Sequence, residues 1–135
     1  MSTATAHWRG NVRDFLGDAR RFGVLAARDE EGRPWQTVVW YDVRDDGILV
    51  NSLAGRRWPA LLRHDPSVSF TVADGYDYVI VRGHADLLAE GEQAAADIGA
   101  LARRYGADPT AFEGQTRVSF LIRPEQVATH GTVQA

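Results

Sequence analysis

From Phe22 to Ser52 the chain runs through three apolar stretches separated by two tight-turn signals, and few folds satisfy that spacing. Phe22–Ala27 is compact and apolar, and Asp29-Glu30-Glu31-Gly32-Arg33-Pro34 after it carries turn chemistry. Trp35–Asp42 reads again as a strand, and Asp45-Asp46-Gly47 turns the chain into Ile48–Ser52. Asp, Gly and Pro at both junctions supply the backbone angles that hairpins need, so the spacing predicts a three-strand meander.

The pattern continues downstream. Ser67–Ala73 alternates Val68, Phe70 and Val72 against polar neighbours, and Tyr78–Leu88 follows after Asp74-Gly75, with a bulge or bend expected at Gly83. Arg117–Arg123 alternates Val118, Phe120 and Ile122 inward, and Val127–Thr129 can extend it beyond Pro124-Glu125. The expected fold is mainly β with flanking helices: a six-stranded antiparallel barrel, closed by its late strand so that few edges stay open.

Three helices flank it. Asn11 stands as an N-cap before Val12, Phe15, Leu16 and Ala19, and Pro59 marks the start of a second helix that Asp65-Pro66 stops. Glu92–Tyr105 places Ala95, Ile98, Leu101, Ala102 and Tyr105 on one stripe with Gly106 past its end.

At 135 residues the expected organisation is one domain, residues 1–135. A formal net charge of -3 argues against a nucleic-acid module. No run of apolar residues is long enough to span a membrane, and MSTATAHWRG carries no apolar leader, so a cytoplasmic setting is expected. The chain has no cysteine, and His7, His64, His84 and His130 are scattered without ligand spacing, so no metal site is expected. There is no lysine either; every basic side chain is a guanidinium, able to fork onto phosphate.

One cluster carries chemistry. After the strand ending at Asn51-Ser52, Gly55 leads into a helix headed by Arg56 and Arg57, where positive charge opposes the helix dipole. An anionic ligand at the helix start removes that conflict. Asn51 and Ser52 add neutral hydrogen-bonding groups, Trp58 offers a flat surface for a ring, and Trp40 and Tyr41 lie one strand away.

With those residues in place, the run FGVLAARDEEGRPWQTVVWYDVRDDGILVNSLAGRRWPALLRHDPSVSFTVAD, followed by YDYVIVRGHADL, resembles the pyridoxamine 5'-phosphate oxidase-like split β-barrel proteins. The likeness is to their flavin- and deazaflavin-dependent branch, covers roughly Phe15 to Leu88, and has a weaker echo at RVSFLIRPEQV. The resemblance implies an FMN-binding-protein-like barrel and a homodimer with a flavin-type cofactor between subunits. It places Gln36, Thr37, Val38, Val39 and Trp40 against the ring, Asn51 and Ser52 near the ribityl chain and phosphate, and Arg56 and Arg57 on the phosphate. Family members commonly carry Lys where Trp58 stands and Asn where Leu61 stands.

The vitamin oxidases add a C-terminal segment rich in Arg and Trp, whereas this chain reads PEQVATHGTVQA there, so that activity is not expected. The resemblance instead implies an oxidoreductase passing a hydride between the deazaflavin coenzyme F420 and a small organic electrophile. An FMN-dependent oxidoreductase and a non-catalytic small-molecule-binding barrel stand as alternatives. Tyr41, Tyr76 and Tyr78 are the proton-donor candidates, and the residues do not choose among them. Trp35, Trp40, Tyr76 and Tyr78 are more aromatic surface than a small barrel buries, which also points to a dimer.

Overall fold

The computed structural model describes residues 8–135; His7 and the leader reading of residues 1–7 lie outside it. Helix α1 is Val12–Gly17, and strands β1 (Gly23–Arg28), β2 (Pro34–Val39), β3 (Asp42–Arg44) and β4 (Gly47–Leu53) follow. Helix α2 (Arg57–His64) leads to β5 (Ser67–Asp74) and β6 (Asp77–Glu90), then α3 (Gly91–Arg104), a short 3-10 turn at Pro109–Phe112, and β7 (Arg117–His130). Among the described residues no helix is long and apolar enough to cross a membrane.

The strands form one seven-stranded antiparallel sheet in the order β2-β1-β5-β6-β7-β4-β3. Six strands and a meander were expected, and both expectations need correction. The apolar run Trp35–Asp42 breaks in the middle, because Tyr41 turns fully into the core and its hydroxyl donates to the Leu16 carbonyl at 2.7 Å. Trp40 and Tyr41 then carry the chain from one edge strand, β2, to the opposite edge strand, β3. β4 therefore pairs with β3 and β7 and not with β2. The sheet curls until its two edges meet at a two-residue link, but no ladder joins them, so the barrel stays split.

β7 is a single continuous strand, where a strand with a possible extension was expected. Its first half is shared, pairing with β4 from Arg117 to Ile122 on one side and with β6 along the other. The expected irregularity at Gly83 is present as a register shift, and a Cβ there would stand 1.9 Å from the Arg123 carbonyl oxygen. Only glycine permits that backbone approach.

Phe70, Phe120, Tyr41, Ile48, Val50 and Ile122 fill the interior, with Leu16 of α1 and Leu61 and Leu62 of α2 sealing it. Asn11 does not cap α1. Its amide instead ties the chain's far end to α1, donating to the Thr132 carbonyl at 2.9 Å and accepting from the Gln134 N–H at 2.7 Å.

Candidate functional site

Where the two sheet edges meet, the structure leaves a cleft of about 330 Å³. Val38, Val39 and Trp40 form one wall at the end of β2, and Asn51–Leu53 at the end of β4 form another. Ile98 and Leu101 of α3 and Phe112 of the 3-10 turn supply an apolar floor, and Arg56 and Arg117 supply positive charge. An apolar slot with one cationic end suits an amphipathic ligand carrying an anion.

Neither guanidinium has a carboxylate partner among the described residues. Arg56 is the exposed N-cap residue of α2, and no side chain caps that helix. Arg117 is only 8% exposed. Its Nε donates to Asn51 Oδ1 at 3.0 Å, its Nη1 donates to Gln115 Oε1 at 2.9 Å, and its guanidinium lies 5.5 Å over the Phe112 ring. Burial, and secondarily the Arg56 charge, push the Arg117 pKa down, the direction that an anion brought into the cleft reverses.

The expected binding residues divide. Val38, Val39, Trp40, Asn51, Ser52, Arg56 and Trp58 all line the cleft, whereas Gln36, Thr37 and Arg57 do not. Arg57 points elsewhere, donating two parallel hydrogen bonds to Glu30 at 2.8 and 2.7 Å. Those bonds hold the Glu30 carboxyl well below its ordinary range, at about 2. Trp58 is not an exposed platform for a ring; it is 3% exposed and packs against Phe120 with ring centroids 6.1 Å apart. Asn51 spends its whole amide on protein partners, Ala94, Ser119 and Arg117. The Ser52 hydroxyl donates to the adjacent Leu53 carbonyl.

None of the three tyrosines considered as proton donors reaches the cleft lining. Tyr76 is 87% exposed beside the β5–β6 turn, and Tyr78 stacks on His130. Tyr41 is buried, and desolvation, with Tyr105 second, pushes its hydroxyl up to about 12. The folded-state pKa thus lies above the unfolded value of about 10, so its contribution to stability is complete below pH 10 and is lost as the pH rises towards 12. Phenolate absorbance should show one late-titrating tyrosine that Tyr41→Phe removes; a single common step in the parent protein would contradict the burial.

The floor residues Ile98, Leu101 and Phe112 were not expected at a site, and neither were Tyr105 and Arg117. Tyr105 stacks on Trp40 with ring centroids 5.0 Å apart and planes 4° from parallel, which fixes the indole at the cleft wall. Arg117 read as the first residue of a strand; the available signal was an arginine opening an apolar strand with only Glu113 as an acidic residue within four positions.

The family model described as pyridoxamine 5'-phosphate oxidase matches residues 9–131. No curated protein matches the sequence significantly. Among solved structures, a conserved hypothetical protein from Mycobacterium tuberculosis superposes with a TM-score of 0.77 at 24% identity, covering 99% of this chain and 96% of that one. A protein described as an F420 reductase gives 0.73 at 22% identity, over 85% and 94% of the two chains. HutZ, the heme storage protein from Vibrio cholerae, gives 0.73 at 20% identity, over 93% and 96%. At these identities the structural likenesses establish a shared fold.

Proposed function

Because the chain belongs to the pyridoxamine 5'-phosphate oxidase family, we propose that its cleft holds a flavin-type cofactor and that the protein is an oxidoreductase using the deazaflavin coenzyme F420 on a small organic electrophile. The observation that carries this reading is the pair Arg56 and Arg117, two guanidiniums without carboxylate partners among the described residues, at one end of an apolar slot. Such a pair fits a phosphate, and the unpaired outer edge of β2 beside it fits the polar rim of a ring. The cofactor, when bound, supplies the hydride. The chain's own residues bind and orient: Arg56 and Arg117 hold the phosphate, the β2 backbone holds the ring edge, and Trp40, braced by Tyr105, excludes water.

The same charge pair also suits the doubly charged phosphate of FMN, which keeps the FMN-dependent enzyme as the second reading. Haem storage, described for one structural relative, is not adopted. Among the described residues the cleft lining contains no histidine, methionine or cysteine to act as an axial ligand.

Titrating ligand-free protein separately with F420 and with FMN, followed by absorbance and tryptophan fluorescence, tests the reading. Tighter F420 binding supports the leading proposal, preference for FMN moves the protein to the second, and binding of neither leaves a non-catalytic binding barrel. Arg56→Ala should weaken cofactor binding about tenfold or more, since a charge-assisted contact contributes ~1.5–3 kcal/mol. Arg57→Ala should change it little, and equal losses in the two variants would overturn the assignment.

A homodimer is part of the proposal. Phe22 is 59% exposed and Val38, at the cleft wall, 63% exposed. A second copy seated over the β2 edge covers both and closes the cleft. Trp35, Trp40 and Tyr78 contribute less to such a surface than expected, being half-buried within the protomer. Light scattering at micromolar concentration should give twice the chain mass, and a monomer would remove this part of the reading.

A further inference from the structure

Beneath the cleft lies a buried polar chain that neither the fold nor the proposed cofactor requires by itself. Arg117 Nε donates to Asn51 Oδ1 at 3.0 Å, and Asn51 Nδ2 donates to Ser119 Oγ at 2.9 Å and to the Ala94 carbonyl at 2.9 Å. Ser119 Oγ in turn donates to Asp97 Oδ2 at 2.8 Å. Asn51 and Ser119 are directly paired across β4 and β7, and Asp97 comes from α3. All the side chains in the chain are buried: Asp97 is 4% exposed and Ser119 0%.

The direction of this chain is chemically determined. The other Asp97 oxygen receives Gln93 Nε2 at 3.0 Å and has Arg44 Nη2 at 3.6 Å, so donors surround the carboxylate. A carboxylate among donors only accepts, which obliges the Ser119 hydroxyl to give its proton to Asp97 and to keep its lone pairs for Asn51. The Asn51 amide must then turn its nitrogen towards Ser119 and Ala94 and its oxygen towards Arg117. Reversing any link would set two donors or two acceptors face to face among buried side chains.

We infer that Asp97 is a positioning residue for the cleft: acting through Ser119 and Asn51, it fixes the acceptor that holds the Arg117 guanidinium at the anion-binding end. The arrangement holds Arg117 with neutral groups, Asn51 and Gln115, so its charge stays available to a ligand. A carboxylate placed directly on Arg117 would hold it equally well and cancel that charge. Asp97 instead acts from two side chains away. The consequence for anion binding rests on the cofactor-phosphate reading of the cleft; the consequence for Arg117 does not.

Asp97→Asn tests this with almost no change of shape. Gln93 and Arg44 would draw the new amide's oxygen, so its nitrogen would face Ser119. Ser119 would then accept from both amides and its buried proton would lose its acceptor, a loss that Asn51 relieves by turning its oxygen towards Ser119 and its nitrogen towards Arg117. Ser119→Ala breaks the same chain in the middle and serves if Asp97→Asn does not fold. The readouts are the Arg117 Nε–H resonance in 15N-labelled protein, identified by its loss in Arg117→Lys, and the binding of FMN and of inorganic phosphate per folded molecule.

The expected result is an Arg117 signal that moves and exchanges faster with water, together with a roughly tenfold loss of affinity for both probes. An unmoved Arg117 signal in a folded variant would overturn the inference, as would full affinity despite a moved signal. Should the parent protein bind neither probe and not F420 either, the cofactor reading of the cleft falls, and the Arg117 signal alone decides whether Asp97 holds it.

Discussion

Replacing Trp58 by lysine, the residue that the family resemblance implies at this place, should unfold the protein and not add a phosphate donor. Trp58 is 3% exposed and belongs to the main core cluster, against Phe120. Losing a buried aromatic side chain costs about 3–5 kcal/mol, and burying an ammonium in its place adds to that. Against a typical total stability of roughly 5–15 kcal/mol, the variant would be marginal or unfolded at room temperature. Urea unfolding followed by circular dichroism checks it, and a Trp58→Lys protein with the parent's midpoint would show that the indole is dispensable. Trp58 thus belongs to the core, while Arg117, approaching from β7, stands where positive charge is available.

A second large loss is expected from Arg104→Met. The Arg104 guanidinium gathers backbone carbonyls from two segments, donating to Tyr41 at 3.0 Å, Leu16 at 3.2 Å, Ala19 at 3.1 Å and Gly17 at 3.5 Å. It lies 5.3 Å from the Tyr41 ring centroid and 5.5 Å from that of Tyr105. Three of these carbonyls end α1 or follow it, a place where helix geometry leaves acceptors unmatched and where a cation is favoured. Methionine fills similar volume but donates nothing, so the variant should lose on the order of 3 kcal/mol by leaving part-buried acceptors unsatisfied. Hydrogen exchange should show the α1 amides opening first, and Arg104→Lys should recover only part of the loss because an ammonium lacks the planar fork. Unchanged protection of α1 in Arg104→Met would refute the latch.

The strands were legible because their signals are local: alternation along Ser67–Ala73, Asp and Gly at the turns, and Gly83 where the strand must bend. What the sequence did not disclose depends on contacts made far along the chain. Nothing in the apolar run Val38-Val39-Trp40-Tyr41 marks the point where it leaves the ladder, because the cause is a pocket beside Leu16 on another element. That hidden break turned an expected meander into a crossing between sheet edges.

The candidate site divides in the same way. Arg56 and Arg57 are equivalent as letters, but Arg56 is the extended N-cap residue and Arg57 the first residue of α2, and Glu30 in the β1–β2 turn claims only Arg57. Asn51 was legible as a polar group in the right place, though it serves Arg117 and not the cleft directly. Arg117 itself stayed hidden because its meaning lies in the absence of a carboxylate partner.

The pairing of Asn51 with Ser119 bridges 68 positions, and β7 comes last in chain order while lying between β6 and β4 in the sheet. Until β7 arrives, β4 and its attached β3 have no further strand to pair with, and the cleft lacks its buried cation. Closing so long a loop is entropically slow, so the proposed binding cleft is complete only once β7 has docked between β6 and β4.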